Sequence, residues 1–531
     1  MLQTDAGTHR TARRMPDILD VIAALSSDAI PTPPVMARAM LDLLPDDVWS
    51  DPTLRWLDPA AKSGSILREA AKRLMIGLEE WEPDRDKRAE HILRNMLYGC
   101  GITRVHAEMT RRSLYVSRDA TSDHAIVPFD TPAGHVPFID DEHDFKTDAK
   151  GRITGNCQVC GAPPSIERGD DRENYAYAFI HGAYPPEELT DMQFDVIVTN
   201  PPYQVSAKGT TRTMPVYNLF VERAIELQPK YVAMITPSRW FSGGLGLSDF
   251  RAQMIADRRL RSIVDNPKLF DCFPGVEIKG GVSYFLWDRD HDGDCDFATR
   301  VDGEIVDGPV QRDLRRGQGV LIRDNRAAAI VDKVTEQMTE SLKNSIHPRL
   351  AFSDRFRTNF RGKPNPTGEA TIPLIHNSGV GYVANDELEQ GHDLIDKFKV
   401  LIPKASDGHG REVSYVLGEP IAVGPGSVCT ESYFIAGAFE NQDEALHFAL
   451  YLTTKFVRFL VLQRKSTQDV RASKFKFVPR MDMATEWSDD ALYEHFGLSD
   501  EERSYIDARI HPRQAVLSLD SPIPHTHRAD S

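Results

Sequence analysis

Asn200-Pro201-Pro202-Tyr203 is the stretch of this chain best equipped for chemistry. It follows Phe194-Asp195-Val196-Ile197-Val198-Thr199, a short apolar run that reads as a buried strand. Prolines have no N–H to donate, and each forces its predecessor into extended backbone, so the strand must end in a stiff loop. Open α/β sheets place their ligands at that point, the carboxyl end of a strand. Asn200 supplies an amide, Pro201 a fixed carbonyl, Pro202 rigidity and Tyr203 an aromatic face. This set can hold a planar base by its amino group. The competing reading is a proline turn after a core strand.

A second candidate is Leu54-Arg55-Trp56-Leu57-Asp58-Pro59-Ala60-Ala61-Lys62-Ser63-Gly64-Ser65-Ile66-Leu67. It reads as strand, tight turn and helix. The acid at the strand end, the small residues of the turn and Gly64 at the helix entrance let a ligand approach the backbone closely. Three glycines of the dinucleotide fingerprint are missing, which argues against a nicotinamide cofactor. A third is Cys157-Gln158-Val159-Cys160-Gly161, half of a zinc knuckle. No second cysteine pair completes it. His135, His143 and His181 are the available histidines, and a reduced cysteine pair in a turn is the alternative. Two segments combine arginine, lysine and aromatic residues. One holds Arg349, Arg355, Phe356, Arg357, Phe360, Arg361 and Lys363; the other holds Arg458, Arg464, Lys465, Arg471, Lys474, Lys476 and Arg480. They read as phosphate contacts to nucleic acid, with Arg355, Arg357, Arg361, Arg464, Lys465 and Lys474 as the candidates, or else as solvated faces.

The elements that must position these groups alternate. Helical spacing over 17–28, with Asp17 as its cap, is followed by Ile30-Pro31-Thr32-Pro33-Pro34 and a second helix from Val35, with Thr32 placed to cap it. After the Asp58 turn come a helix, a strand near Met96 to Thr103 and a helix from Val105 to Tyr115. The strand at 194–199 follows, then a helix from Tyr217, a strand at Tyr231 to Ile235, the loop Thr236 to Phe241 with Arg239-Trp240, and a helix near Leu247 to Asp257. Strands at 263–265 and 281–287 close the series. Alternation of this kind predicts an α/β fold with a doubly wound, mostly parallel sheet. Residues 117–183, rich in Asp, His, Gly and Pro, are too long for a connection and read as an insertion. The expected divisions are a flexible N-terminus over 1–16, a catalytic domain over 17–295, a mixed α+β domain over 300–485, and a C-terminal helix with a disordered tail over 486–531.

The chain of 531 residues is 41% hydrophobic and 27% charged, typical of a globular protein with room for two or three domains. No apolar run approaches the length of a membrane span, and residues 1–16 lack a signal-peptide core. Six cysteines are too few for a disulfide framework, so a cytoplasmic location with no membrane partner is expected. The net charge of −16 opposes non-specific coating of nucleic acid, yet leaves room for a basic surface confined to one cleft.

Asp58-Pro59-Ala60-x-x-Ser63-Gly64-Ser65-x-Leu67 resembles the cofactor motif of S-adenosylmethionine-dependent DNA methyltransferases, and Asn200-Pro201-Pro202-Tyr203 resembles their catalytic motif. The order of proline turn, cofactor motif, catalytic motif and C-terminal domain is similar to the gamma group of adenine-N6 methyltransferases in restriction–modification systems. Ser26-Ser27-Asp28-Ala29-Ile30-Pro31-Thr32-Pro33-Pro34 and Arg111-Arg112-Ser113-Leu114-Tyr115 place it nearest the Eco57I-type methylases. The likeness covers about 17–290 well, and 425–480 more loosely through Thr467-Gln468 and Phe477-Val478-Pro479. It implies a Rossmann-like methyltransferase domain followed by a target-recognition domain. It implies S-adenosyl-L-methionine held by Thr32, Pro33, Asp58, Pro59, Ala60, Ser63 and Gly64; the cysteine spacing, apart from the resemblance, makes a structural zinc at Cys157 and Cys160 the second cofactor candidate. The implied partners are double-stranded DNA and a cognate restriction endonuclease or helicase subunit.

The implied chemistry is methyl transfer to the exocyclic amine of a flipped adenine, held by Asn200 and Pro201 and stacked on Tyr203. Two positions depart from the family pattern. Ala61-Lys62 replaces Cys-Gly, and Gly99-Cys100-Gly101 carries no acid for the ribose, leaving either Glu108 as a substitute or weaker cofactor binding. The rival functions are an amino methylase acting on RNA or protein and a methyltransferase-fold DNA-binding subunit with little activity.

Overall fold

Apolar runs of four to seven residues, separated by amphipathic helices, build the first half of the chain into one sheet. The computed structural model describes residues 30–164, 176–185, 192–206, 213–244, 246–268, 270–273, 276–406, 414–465 and 467–518. The expected helix over 17–28, the N-terminus over 1–16 expected to be flexible, and residues 519–531 lie outside these ranges. The chain divides into two compact units, Met1–Arg315 and Arg316–Ser531.

The first unit runs α1 (Pro34–Leu41), β1 (Trp56–Ala61), α2 (Ser65–Gly77), α3 (Arg85–His91), β2 (Leu97–Gly101) and α4 (Arg104–Tyr115). It continues through β3 (Phe145–Thr147), β4 (Ile153–Cys157), α5 (Ala178–His181), β5 (Val196–Thr199), β6 (Gln204–Ser206) and β7 (Thr213–Pro215). Then come α6 (Tyr217–Glu226), β8 (Tyr231–Pro237), α7 (Ser248–Ala256), β9 (Leu260–Asn266), β10 (Val282–Asp288), β11 (Cys295–Val301) and β12 (Glu304–Arg312). The main sheet has the order β12-β11-β9-β10-β8-β5-β1-β2. Strands β2, β1, β5 and β8 are parallel, and β10 runs antiparallel between β8 and β9. Strands β1, β5, β8 and β10 are buried throughout, as strands covered on both faces must be. Strands β11 and β12 carry the sheet beyond residue 295, where the sequence suggested that the first domain ends.

The order reverses at β1, which has β2 on one side and β5 on the other. This is the switch point where doubly wound sheets bind ligands. Pairing of Trp56 with Val196 and of Leu57 with Ile197 sets Asp58 and Asn200 at neighbouring strand ends. Pro59 sits inside β1 at a break in its register with β2, which suits a residue with no N–H for a ladder. The insertion covers the free edge of β2. Gly99 and Gly101 donate to the carbonyls of His135 and Pro137, and His135 stacks on Tyr98 at 4.4 Å.

In the second unit, α8 (Asn325–Gln337) precedes β13 (Ile372–His376), β14 (Gly379–Val383), β15 (Phe398–Pro403), β16 (Ile421–Val423), β17 (Val428–Cys429) and β18 (Tyr433–Phe439). Helices α9 (Gln442–Thr453), α10 (Lys455–Leu462), α11 (Asp489–His495) and α12 (Asp500–Arg509) follow, then β19 (Val516–Ser518). A four-stranded sheet, β18-β15-β16-β19, alternates its side chains between two cores. Val400, Ile402, Ala422, Phe434 and Ala436 face the helices, while Leu401, Ile421, Val423 and Ile435 face the core shared with the β14-β13-β17 sheet. Helices α11 and α12 bury Leu492, Tyr493, Tyr505 and Ile506 in the helical core, so residues 486–510 belong to this unit. Among the described residues, no single helix is long and apolar enough to cross a membrane.

Gly101 shows why the strand end carries no acid. A Cβ there would lie 2.6 Å from both the backbone nitrogen and the Cβ of Ala107 in α4. Gly101→Ala is expected to destabilise the protein by about 2 kcal/mol through overpacking. A lowered midpoint of chemical unfolding, followed by tryptophan fluorescence, is the check.

Candidate active site

Helix α2 begins after Gly64, which adopts φ 73°, a left-handed backbone that glycine tolerates without cost. The turn before it is tied down from α4. Thr110 donates to the Lys62 carbonyl at 3.2 Å and Ser113 to the Ser63 carbonyl at 2.6 Å. Ser65 donates to the Thr32 carbonyl at 2.6 Å, which fastens the proline turn to the helix start. A small cleft is lined by Thr32, Asp58, Ala60, Lys62, Ser63, Gly64 and Asn200. The structure thus brings together most of the residues read as cofactor-binding with the first catalytic one. Pro33 adjoins them as the residue that starts α1. Thr32 does not cap that helix, because its hydroxyl meets Asn200 instead.

Asp58 is buried. Its Oδ1 accepts from Thr199 Oγ1 at 2.6 Å and from the Ala60 N–H at 3.2 Å. Burial pushes its carboxyl up to about 6, against the opposing pull of these hydrogen bonds and of the Lys62 charge. Asn200 is also buried. Its Nδ2 lies 3.0 Å from Thr32 Oγ1 and 3.3 Å from the Ile30 carbonyl. A carbonyl only accepts, so the amide nitrogen must face Ile30, and Oδ1 points the other way. That Oδ1 is buried and has no hydrogen-bond partner among the described residues. A buried acceptor left this way costs free energy until a donor arrives.

Lys62 is buried between these groups. Its ammonium donates to the Ile30 carbonyl at 3.1 Å and lies 6.0 Å from the centre of the Tyr203 ring. Tyr203 lines a neighbouring cavity of about 370 Å³ with Gln204, Tyr217, Pro237, Arg239 and Lys279. Pro201 and Pro202 are buried behind it. Arg239 therefore faces a cavity, whereas Trp240 is a core residue stacked edge-on against Phe241 and Phe250. Glu108 lies in α4, does not line the cleft, and has Arg111 as a charged neighbour. A larger hollow of about 910 Å³, bordered by α6 and α7, holds none of these residues.

Thr199, Thr110 and Ser113 were not among the residues singled out from the sequence. Their signal is a hydroxyl directly before Asn200 and two hydroxyls three residues apart on one face of a helix.

In the second unit, Arg355 and Arg357 are exposed, 3.8 Å from the carboxylates of Glu387 and Glu431 respectively, and Arg357 Nε also donates to the Asp354 carbonyl at 2.9 Å. Arg361 donates to the carbonyls of Thr358 and Phe360. Arg464 donates to Ser473 and Gln318 carbonyls and lies over Phe477, and Lys474 donates to the Arg464 carbonyl. Lys465 departs from its expected role as a phosphate contact. It is buried, with its ammonium donating to Ser406 Oγ and the Val416 carbonyl. Phe356 is likewise a core residue, with Phe360 stacked on it at 4.9 Å.

The β10 insertion between β8 and β9, and the two ligand-facing turns at adjacent strand ends, define an α/β methyltransferase fold. Residues 95–273 match the model of the Eco57I restriction-modification methylase family. An uncharacterised adenine-specific methylase of Mycoplasma pneumoniae is 34% identical over 302 residues, which span 52% of this chain and 71% of that protein. The chain belongs to this family of methylases. Among solved structures, the M protein of the type I restriction enzyme EcoKI is 17% identical with a TM-score of 0.32, covering 51% of this chain and 48% of that one. The DrdV–DNA complex is 11% identical with a TM-score of 0.42, covering 92% and 58%. The chain spans about half the length of these solved proteins.

The raised Asp58 carboxyl has a defined sign. Its favourable contribution is complete below the ordinary value of 3.8 and is lost as pH rises through about 6. Asp58→Asn is therefore expected to stabilise the ligand-free protein at pH 7.5 by about 3 kcal/mol, with no gain at pH 4; urea unfolding at the two values is the check. Lys465→Met, which removes a buried charged donor from Ser406 Oγ and the Val416 carbonyl, is expected to cost about 1–3 kcal/mol, while exposed Arg355→Ala stays within about 0.5 kcal/mol.

Proposed function

We propose that this protein transfers a methyl group from S-adenosyl-L-methionine to the N6 amine of an adenine in specific DNA sites, as the modification component of a restriction–modification system. The observation that carries the reading is Asn200 Oδ1, a buried acceptor with no hydrogen-bond partner among the described residues, at the switch point beside the Asp58 turn. The family relation and the adenine-specific name of its Mycoplasma relative support it.

The residues of the turn suit the cofactor. A buried carboxyl raised to about 6 carries its charge at neutral pH at a cost that a neighbouring cation offsets, and the cofactor brings a sulfonium and an amino group. The N-terminus of α2 offers backbone N–H groups to its carboxylate. When bound, S-adenosylmethionine supplies an electrophilic methyl carbon. Thr32, Pro33, Asp58, Pro59, Ala60, Ser63 and Gly64 would hold it. The protein's own work is positional. Adenine N6 is a poor nucleophile because its lone pair is delocalised into the ring. Hydrogen bonds from N6 to Asn200 Oδ1 and the Pro201 carbonyl draw the nitrogen toward tetrahedral geometry and localise that pair. Thr32 and Ile30 keep the Asn200 amide from rotating. The cavity beside Tyr203 receives the extruded base, whose stacking on the ring offsets part of the few kcal/mol of unstacking. Arg355 and Arg357, exposed and weakly paired, are the phosphate contacts the second unit supports best for target recognition.

The test is incubation with labelled S-adenosylmethionine and unmethylated duplex DNA, with modified adenines mapped by single-molecule sequencing. Label in RNA or protein, and none in DNA, would overturn the reading. Asn200→Ala is expected to lower transfer at least about a hundredfold, with cofactor affinity changed far less. Cofactor affinity in the wild type is expected to strengthen from pH 5 to pH 7.5 as Asp58 ionises; calorimetry at both values should show this gain flattened in Asp58→Asn.

A further inference from the structure

The insertion contains a small hairpin that lacks a core of its own. Strands β3 and β4 pair Phe145 with Cys157 and Thr147 with Ile153, and most of their side chains are exposed or half-exposed. Two-stranded hairpins of this size are marginal in water without further support. One end of this hairpin is built differently from the rest. Cys157, at the end of β4, and Cys160 are both buried. Gly161 closes the turn at φ 70°, donating to the Cys157 carbonyl at 2.9 Å, and Cys157 donates to the Ala162 carbonyl at 2.8 Å.

Two histidines from other segments converge on this turn. His143 lies just before β3, with its Nδ1 3.4 Å from Cys160 Sγ. His181 ends α5, with its Nε2 4.0 Å from Cys157 Sγ. The ligand atoms of His143, Cys157, Cys160 and His181 all lie within 4.8 Å of one another. A tetrahedral zinc with bonds of about 2.0–2.3 Å sets its ligand atoms roughly 3.3–3.8 Å apart. The 3.4 Å contact already meets that spacing, the 4.0 Å contact needs a few tenths of an ångström, and the widest separation allowed by the 4.8 Å limit needs about an ångström. His135, the third histidine considered from the sequence, is engaged elsewhere, stacked on Tyr98.

We propose that His143, Cys157, Cys160 and His181 bind one structural zinc ion that fastens the inserted hairpin to the methyltransferase domain. Two thiolates and two imidazoles match zinc in softness and number, and a closed set of four leaves no open position for catalysis. The ion joins segments anchored differently. Helix α5 is seated by Phe179, stacked on Phe220 of α6 at 5.8 Å. The cysteine turn abuts β7, since a Cβ on Gly161 would lie 2.9 Å from Met214 Cε. Strand β7 pairs with β6, which leads directly out of the Asn200–Tyr203 loop. Zinc therefore supports the hairpin that continues from the candidate catalytic loop, without entering the site.

The test is elemental analysis of the full-length protein, purified without a histidine tag from zinc-supplemented medium. One zinc per chain is expected, surviving dialysis against a weak chelator and falling at least about tenfold in Cys157→Ser/Cys160→Ser. Cobalt(II) added to metal-stripped wild-type protein should give the intense visible bands and thiolate charge-transfer absorption of a tetrahedral site. This readout does not depend on the folding of a variant. Hydrogen exchange should quicken in residues 143–161 and 213–215 when zinc is removed. Wild-type protein with under about a tenth of an equivalent of zinc and no tetrahedral cobalt spectrum would overturn the proposal. So would a Cys157–Cys160 disulfide in freshly isolated protein.

Discussion

A buried hydrogen bond from Thr199 to Asp58 ties the strand that leads into Asn200 directly to the Asp58 turn. The partners are 141 residues apart in sequence, and only the adjacency of β1 and β5 makes them neighbours. The bond matters because Asp58 sits where solvent cannot solvate its charge. Burial raises its carboxyl, Thr199 and the Ala60 N–H lower it, and the result lies near 6. The Asp58 turn thus carries a group that ionises within reach of neutral pH and gains from a cation. The same strand pairing delivers Asn200 one residue beyond Thr199, next to the turn.

A second set of contacts orients what the strands deliver. The proline turn after Ile30 acts as a clamp on the Asn200 amide. Ile30 receives Asn200 Nδ2 and Lys62 Nζ on one carbonyl, Thr32 receives the other amide proton, and the Thr32 carbonyl receives Ser65. Lys62, a departure from the family motif, is thereby explained. Its charge is spent on the carbonyl that holds Asn200 and on the region of the Tyr203 ring, linking the cofactor turn to the catalytic loop. Gly101, the other departure, reflects packing. Helix α4 approaches the end of β2 too closely for any side chain, and the same helix holds the turn through Thr110 and Ser113.

The second unit shows why charge in a sequence is a weak guide to surface chemistry. Its basic segments are equally rich in arginine and lysine, yet they are used differently. Arg355 and Arg357 reach solvent, although Arg357 also donates to the Asp354 carbonyl, while Lys465 is buried against an internal carbonyl and Arg464 and Lys474 donate to backbone carbonyls from half-buried positions. Long cationic side chains can satisfy buried carbonyls as readily as phosphates, and the choice depends on which strand end lies nearby.

Local sequence determined a good deal by itself. The apolar runs, the prolines of the Asn200–Tyr203 loop and the Gly64 turn fix strands and helix starts through covalent constraint and periodicity, and those act over a few residues. The mostly parallel α/β architecture and the residues of the cleft were legible for that reason. Tertiary structure alone decided which partners these residues would meet. Thr32 holds Asn200 instead of capping α1, Trp240 enters the core while Arg239 faces a cavity, and His143 and His181, but not His135, close on the cysteine turn. Each of these outcomes depends on contacts between segments far apart in the chain, whose geometry is set by strand order and helix packing and leaves no local pattern. The Asn200 loop was visible as a platform for an amine; that Asn200 Oδ1 is its outward-facing acceptor became visible only when Thr32 and Ile30 were seen to occupy the other side of the amide.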